Sequence, residues 1–199
     1  MAHSLGGIVS FTYSSLFNDE IEFVISIDAK HSSLDIDSNT RQFRKNLKKF
    51  LEIEYLPISS VPSYSEDEAI NRWRKSSNYS IDEQSCKELI IRGTRKKADG
   101  TVYFSRDPVL KFLTLSSFAY GQNVFKDMAK EIKNPYLVIK ATDAKYVEKM
   151  KNVLEVADII KENNMYFSFH KVPGTHHLHM TNPHAVVEII NPFLEKYNN

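Results

Sequence analysis

Residues 2–6 read Ala-His-Ser-Leu-Gly, which differs from the pattern Gly-x-Ser-x-Gly only in the alanine at the first position. In that pattern the serine, here Ser4, stands on a sharp turn between a strand and a helix. Small residues two positions before and two after it avoid a clash with neighbouring segments. An ordinary helix N-cap also places a serine in front of a helix. Short motifs of this kind occur by chance, so the motif alone leaves both interpretations open.

The chain that follows the motif alternates between helical and extended patterns. The spacing of apolar residues predicts a helix over 4–17, and the run IEFVISIDA at 21–29 predicts a buried strand. Two more strands are predicted at 135–141 (PYLVIKA) and 165–172 (MYFSFHKV), each followed by a helical pattern. Strands that alternate with helices favour right-handed parallel crossovers. The predicted fold class is therefore α/β, with about three parallel strands and flanking helices.

A helical block interrupts this alternation. Three helical patterns lie between residues 40 and 94, and a short extended piece follows at 101–105. We predict that residues 37–98 form a helical cap inserted into the α/β core. The core then comprises 1–36, with the serine motif and the following strand, and 99–199.

Composition and charge argue against several classes of function. The 199 residues include 26 Lys and Arg against 25 Asp and Glu, so the net charge of +1 does not favour a nucleic-acid partner. The single cysteine, Cys86, rules out an intramolecular disulfide and fits a reducing compartment. No apolar stretch reaches the roughly 18 to 20 residues that a membrane span requires. We therefore expect a cytoplasmic protein without a membrane span, and a peroxisomal or vesicle-associated location stays open.

Two further parts of the sequence carry residues suited to acid–base chemistry. Residues 173–179, Pro-Gly-Thr-His-His-Leu-His, follow a predicted strand and fit either a metal site or a general base. The metal is less favoured, because no cysteine joins the histidines. Asp143 follows the strand at 135–141, and Asp28 lies at the end of the strand at 21–29. Either acid could orient a histidine, although an aspartate after a strand is more often a turn residue or a helix cap.

Together these segments resemble the serine hydrolase-like proteins of the α/β-hydrolase superfamily over nearly the whole chain. AHSLGGIVS resembles their nucleophile elbow, PYLVIKATD their acid-bearing strand, and VPGTHHLHMTNPHAVVEIINPFL their histidine loop and final helix. The order Ser, Asp, His along the chain is also that of the superfamily. The resemblance implies Ser4 as the nucleophile and His176 as the general base. It implies Asp143 as the acid, with Asp28 as the alternative, and the backbone N–H of Leu5 as an oxyanion donor. It implies no cofactor and no metal.

The chain departs from the superfamily in front of the serine and at the acid. Only three residues precede Ser4, where the superfamily has several strands and a loop that completes the oxyanion hole, and Asp143 lies one position early. We therefore expect Met1 to be an internal methionine of a longer protein, or the chain to be a truncated product. The strand at 21–29 is then expected to be an open sheet edge. Loss of one oxyanion donor typically lowers the rate about a hundred- to a thousandfold.

Two hypotheses about function follow. The first is a serine hydrolase that acts on a small carboxylic ester or similar acyl substrate through an acyl-Ser4 intermediate. The second is a catalytically inactive relative that binds a ligand or partner. The sequence indicates neither the identity of the substrate nor the oligomeric state.

Overall fold

The structure, a computed structural model, describes residues 1–29, 44–45, 47–53, 61–108, 110, 121–144 and 150–198. The chain divides into two units, of which the first comprises Met1–Asp35 with Phe118–Asn199 and the second Ile36–Ser117. The cap boundaries predicted at 37 and 98 stay a prediction. Residues 47–53 are helical, and much of the chain around them in the predicted cap, including 54–60, lies outside the described residues.

Strands and helices of the described residues have the following bounds. The strands are β1 (Ala2–His3), β2 (Val24–Ile27), β3 (Thr94–Lys96), β4 (Val102–Phe104), β5 (Tyr136–Ala141) and β6 (Phe167–Val172). The labelled helices are α1 (Leu5–Leu16), α2 (Glu66–Ser76), α3 (Glu83–Gly93), α4 (Gln122–Glu131), α5 (Met150–Asn163), α6 (Leu178–Thr181) and α7 (Pro183–Tyr197).

The first unit contains a parallel sheet with the strand order β1-β2-β5-β6. All residues of β2 and β5 are buried, which explains why their sequences are runs rather than alternations of apolar residues. Over the described residues the sheet has four strands where about three were predicted, because Ala2 and His3 pair with Ser26 and Ile27. The expectation of an open edge at β2 is therefore wrong over these two residues. A strand as short as β1 has no apolar pattern that sequence analysis could detect.

Side chains of the central strands alternate between two apolar layers. On one face Val24, Tyr136 and Val138 pack in a cluster with residues of α1, α4 and α5. On the other face Ile25, Ile27, Leu137 and Ile139 pack with residues of α6 and α7. This alternation follows from the two-residue period of a strand, and it covers both faces of the sheet with helices.

The second unit combines helices with a small antiparallel ladder. Helix α2 begins with a capping box in which Ser65 and Glu68 exchange side-chain to backbone hydrogen bonds. Strand β4 lies inside the predicted extended piece at 101–105 and pairs with β3. Strand β3 was not predicted, because its sequence, Thr-Arg-Lys, lacks an apolar side chain.

The carboxyl ends of the parallel strands meet at one edge of the sheet. Ser4 directly follows β1, Asp28 directly follows β2, and the loop at 173–177 follows β6. Residues far apart in sequence are thus brought to the edge where open α/β sheets place their ligands.

Candidate active site

Ser4 occupies the turn between β1 and α1 with φ 53° and ψ −118°. A positive φ is uncommon for a residue other than glycine and is maintained here by backbone contacts on both sides. The Ser4 amide donates to the carbonyl of Ile27 at 3.1 Å, and the Ser4 carbonyl accepts from the amide of Ile8 at 3.2 Å. The Ser4 side chain makes no capping hydrogen bond to α1. The side chain of Ser4 therefore does not cap the helix, although the residue stands in front of it.

Two glycines at the start of α1 have different steric surroundings. A Cβ on Gly7 would overlap the Cβ of Ala29 and lie 2.7 Å from Oγ of Ser26. A Cβ on Gly6 would lie 3.5 Å from the Cβ of Ala2, which is an ordinary van der Waals contact. The close approach of α1 to the sheet therefore depends on Gly7, one position beyond the glycine that the motif specifies. Ala2, the departure from the motif, is accommodated.

His176 links the serine to a carboxylate. Nε2 of His176 lies 2.8 Å from Oγ of Ser4, and Nδ1 lies 2.6 Å from Oδ2 of Asp28. With the imidazole proton on Nδ1, the ring donates to Asp28 and accepts from the Ser4 hydroxyl. The backbone carbonyl of His176 accepts from Nε2 of His3 at 2.8 Å, which ties the histidine loop to β1. The contacts of His176 with Ser4 and Asp28 form a continuous hydrogen-bonded chain from hydroxyl to imidazole to carboxylate.

The Asp28 carboxylate is fully buried and uses both of its oxygens. Oδ1 accepts from Nζ of Lys140 at 2.7 Å and from the amide of Ala141 at 3.1 Å. Burial raises the pKa of the Asp28 carboxyl, but the hydrogen bond from His176 and the charge of Lys140 outweigh burial and hold this pKa below its usual value. Asp28 is therefore ionised at neutral pH.

Asp143, the first choice for the acid, lies in different surroundings. Its carboxylate accepts from Oγ1 of Thr142 at 3.0 Å, and its amide donates to the carbonyl of Gly174 at 3.0 Å. The carboxylate that His176 contacts through Nδ1 is instead the alternative, Asp28. The register explains this arrangement: the Asp28 amide donates to the carbonyl of Ile139, so Asp28 remains within the sheet edge beside β5.

Leu5, the predicted oxyanion donor, is the first residue of α1. The first four amides of a helix have no carbonyl partner within that helix, and the helix dipole adds positive potential at this end. The Leu5 amide is therefore suited to donate a hydrogen bond to an anion beside Ser4. Its role stays a prediction.

Three further histidines surround His176. The ring centroids of His3 and His176 lie 4.4 Å apart, and those of His3 and His179 lie 4.2 Å apart. Burial and the neighbouring histidines lower the pKa of His3 to about 3 and that of His177 to about 4. For the same reasons the pKa of His179 is also lowered. Within the described ranges, no group of three or more His, Cys, Asp or Glu side chains is arranged to hold a metal ion.

Lys140 is a residue of the site that the sequence analysis did not single out. It lies in β5, where every residue is buried, and its side chain is only 8% exposed. A lysine within an otherwise apolar strand is the signal that could have found it, since lysine is almost never fully buried unless it is paired.

Comparison with solved structures identifies the class of the fold. The thioesterase domain from the curacin biosynthetic pathway superposes with a TM-score of 0.71 at 19% identity, over 96% of this chain and 64% of that one. The chain therefore has the α/β-hydrolase fold, as the sequence predicted. No family model matches the sequence.

Two curated proteins define the relationship more closely. A probable serine hydrolase of Drosophila melanogaster is 33% identical over 201 residues, which are 98% of this chain and 59% of that protein. A serine hydrolase-like protein of Mus musculus is 25% identical over 208 residues, with coverage of 98% and 65%. The chain is thus similar to proteins named serine hydrolase or serine hydrolase-like, and it spans about three fifths of their length. Among the helices described, none is long and apolar enough to cross a membrane.

Proposed function

We propose that this chain carries the catalytic residues of a serine hydrolase that cleaves a small carboxylic ester or similar acyl compound. The observation that supports this most strongly is the hydrogen-bonded series from Ser4 through His176 to Asp28. A hydroxyl, an imidazole and a carboxylate in this order activate a serine for acyl transfer. The name of the Drosophila melanogaster relative, probable serine hydrolase, agrees with the same reaction class.

In the proposed reaction Ser4 is the nucleophile and His176 the general base. Oγ of Ser4 attacks the acyl carbon while its proton moves to Nε2 of His176, across the 2.8 Å contact between them. The imidazolium then gives this proton to the departing alcohol. The acyl-Ser4 intermediate is hydrolysed by a water molecule that His176 activates in the same way.

We assign the acid to Asp28 instead of Asp143. The 2.6 Å contact between Oδ2 of Asp28 and Nδ1 of His176 supports this assignment, because the acid must orient the ring and stabilise its protonated form. The lowered pKa of Asp28 supports it further, since only an ionised carboxylate stabilises an imidazolium. Asp143 bonds to Thr142 in its own turn, which suits a structural role.

The oxyanion that forms during attack is assigned to the backbone N–H of Leu5. This amide follows the nucleophile directly and stands at the N-terminus of α1, where the helix dipole favours negative charge. The same arrangement contributes one donor of the oxyanion hole in enzymes with a nucleophile elbow. The alternative hypothesis, an inactive relative that binds a ligand or partner, predicts that this donor is insufficient for catalysis.

Hydrolysis of p-nitrophenyl butyrate by the purified chain tests the proposal. We expect Ser4→Ala to lower kcat/KM by about a thousandfold or more, because the nucleophile is removed. Ser10→Ala, a matched change within α1, is expected to leave the rate unchanged. An unchanged rate in Ser4→Ala would show that another residue is the nucleophile. A folded wild-type chain that does not hydrolyse the ester would favour the inactive alternative.

A further inference from the structure

A buried lysine contacts the carboxylate of the site. Nζ of Lys140 lies 2.7 Å from Oδ1 of Asp28, where the two side chains are 8% and 0% exposed. Burial of a charged group is costly unless an opposite charge and hydrogen bonds compensate it. Lys140 and Asp28 therefore depend on each other within the fold.

The two oxygens of Asp28 have separate partners. Oδ1 is held by Lys140 and by the amide of Ala141, which leaves Oδ2 directed at Nδ1 of His176. The carboxylate cannot rotate without breaking contacts with the backbone and with the ammonium. Lys140 thus contributes to the orientation of the His176 imidazole indirectly, through its contact with Asp28.

The ammonium also changes the charge balance of the site. While the imidazole is neutral, Asp28 and Lys140 form a pair with no net charge. When His176 accepts a proton, two cations share one buried carboxylate. Repulsion between like charges is stronger in a buried site than in water, so Lys140 opposes protonation of the imidazole.

Other titratable groups around His176 carry little charge at neutral pH or are bonded elsewhere. His3 from β1 and His177 from the histidine loop contact the ring of His176, and His179 from α6 contacts the rings of His3 and His177. Burial holds the pKa values of all three below the usual range. The Asp143 carboxylate, which follows β5, accepts from Thr142. Among the described residues, the lysine in contact with Asp28 is Lys140.

We propose that Lys140 is a positioning residue that fixes the Asp28 carboxylate and extends the working range of the His176 base to lower pH. Its catalytic consequence rests on the proposed function, whereas its effect on the imidazole does not. A lysine that only compensated the buried carboxylate would affect stability and leave the pH dependence of the site unchanged.

Two neutral variants separate orientation from charge. Lys140→Gln removes the charge but keeps a donor for Oδ1 of Asp28, and Lys140→Met removes both. The readout is the rate at which a fluorophosphonate labels Ser4 as a function of pH, with folding checked by circular dichroism. Lys126→Met, which breaks the partly exposed ion pair with Glu155, is the control.

We expect the pH of half-maximal labelling to rise in both Lys140 variants and to stay constant in Lys126→Met. At high pH, Lys140→Gln should label within about threefold of the wild type, and Lys140→Met more slowly, because only glutamine still holds Oδ1. Unchanged midpoints in folded Lys140→Gln would overturn the proposal.

A measurement without catalysis distinguishes this proposal from the proposed function. The chain contains seven histidines, and the ring Cε1–H signal of His176 is assigned in NMR spectra by its loss in His176→Gln. We expect its titration midpoint to move to higher pH in Lys140→Gln, while the signal of exposed His184 does not move. If the midpoint moves but a fluorophosphonate does not label the chain, the proposed function is contradicted and the role of Lys140 is not. A midpoint that does not move would overturn the role of Lys140.

Discussion

Nδ1 of His176 lies 2.6 Å from Oδ2 of Asp28, although 148 positions separate the two residues in the sequence. The contact arises because Asp28 directly follows β2 and His176 lies in the loop after β6, so both side chains lie at the same edge of the sheet. The Asp28 carboxylate is ionised and held at its other oxygen by Lys140. This pair therefore has the geometry and the charge to orient an imidazole beside Ser4.

Substitution of the two candidate acids should have very different effects. Asp28→Asn keeps the size of the side chain but loses the charge that stabilises the imidazolium, and the comparable change in a serine protease lowers kcat about 10⁴-fold. We expect a decrease of about that order in ester hydrolysis for Asp28→Asn, and less than about threefold for Asp143→Asn.

Thermal melting of both acid variants is a necessary control, because Asp28→Asn leaves Lys140 without its carboxylate partner. The double variant Asp28→Asn/Lys140→Met removes both charges and should recover stability without recovering activity. A loss of activity in Asp143→Asn with full activity in Asp28→Asn would reverse our assignment of the acid.

The two glycines of the serine turn should differ in their tolerance of a methyl group. Gly7→Ala places a Cβ against Ala29 and Ser26, and overpacking of this kind destabilises by about 1–3 kcal/mol. Gly6→Ala meets only an ordinary contact with Ala2 and should be neutral or stabilising by up to about 1 kcal/mol, since alanine favours helix. Urea unfolding measures both. Equal stability of the two variants would argue against the close approach of α1 to β2.

The half-buried histidines His3 and His177 should make the fold less stable in mild acid. Folding lowers the pKa of His3 from 6.5 to about 3 and that of His177 from 6.5 to about 4. Between the unfolded and folded values the unfolded chain binds more protons, so the free energy of unfolding decreases as pH falls from 6.5 towards about 4. The lowered pKa of Asp28 acts only below its usual value of 3.8 and does not contribute in this window.

Urea midpoints at about pH 7 and about pH 5 measure this effect. His3→Gln keeps an N–H donor for the carbonyl of His176 but cannot be protonated, so its midpoint should fall less than that of the wild type between the two pH values. Exposed His184→Gln is the control and should behave as the wild type does. Equal falls in wild type and His3→Gln would show that His3 remains easily protonated in the fold.

The sequence predicted the fold well where its signals are local. Strands β2, β5 and β6 lie within the predicted ranges. The sequences of β2 and β5 are apolar runs because these strands are buried, whereas most residues of β6 are partly or fully exposed. The two-residue strand β1 escaped detection, because its pairing with β2 is decided by the sheet and not by its own two side chains.

The choice between the two acids was beyond the sequence for a related reason. Asp28 lies at the end of one predicted strand and Asp143 follows another, and both fit the order Ser, Asp, His along the chain. Only the spatial order of the strands and the direction of each turn decide which carboxylate meets Nδ1 of His176. Lys140 was overlooked because the partner that explains a buried lysine lies on another strand, at Asp28.

The most direct test of the central claim is to label the folded chain with a fluorophosphonate and map the modified peptide by mass spectrometry. Our account predicts a single label on Ser4, and loss of that label in His176→Gln, because the reagent reacts with a serine that an imidazole activates. A folded wild-type chain that takes up no label, or takes it up at another serine, would contradict the account.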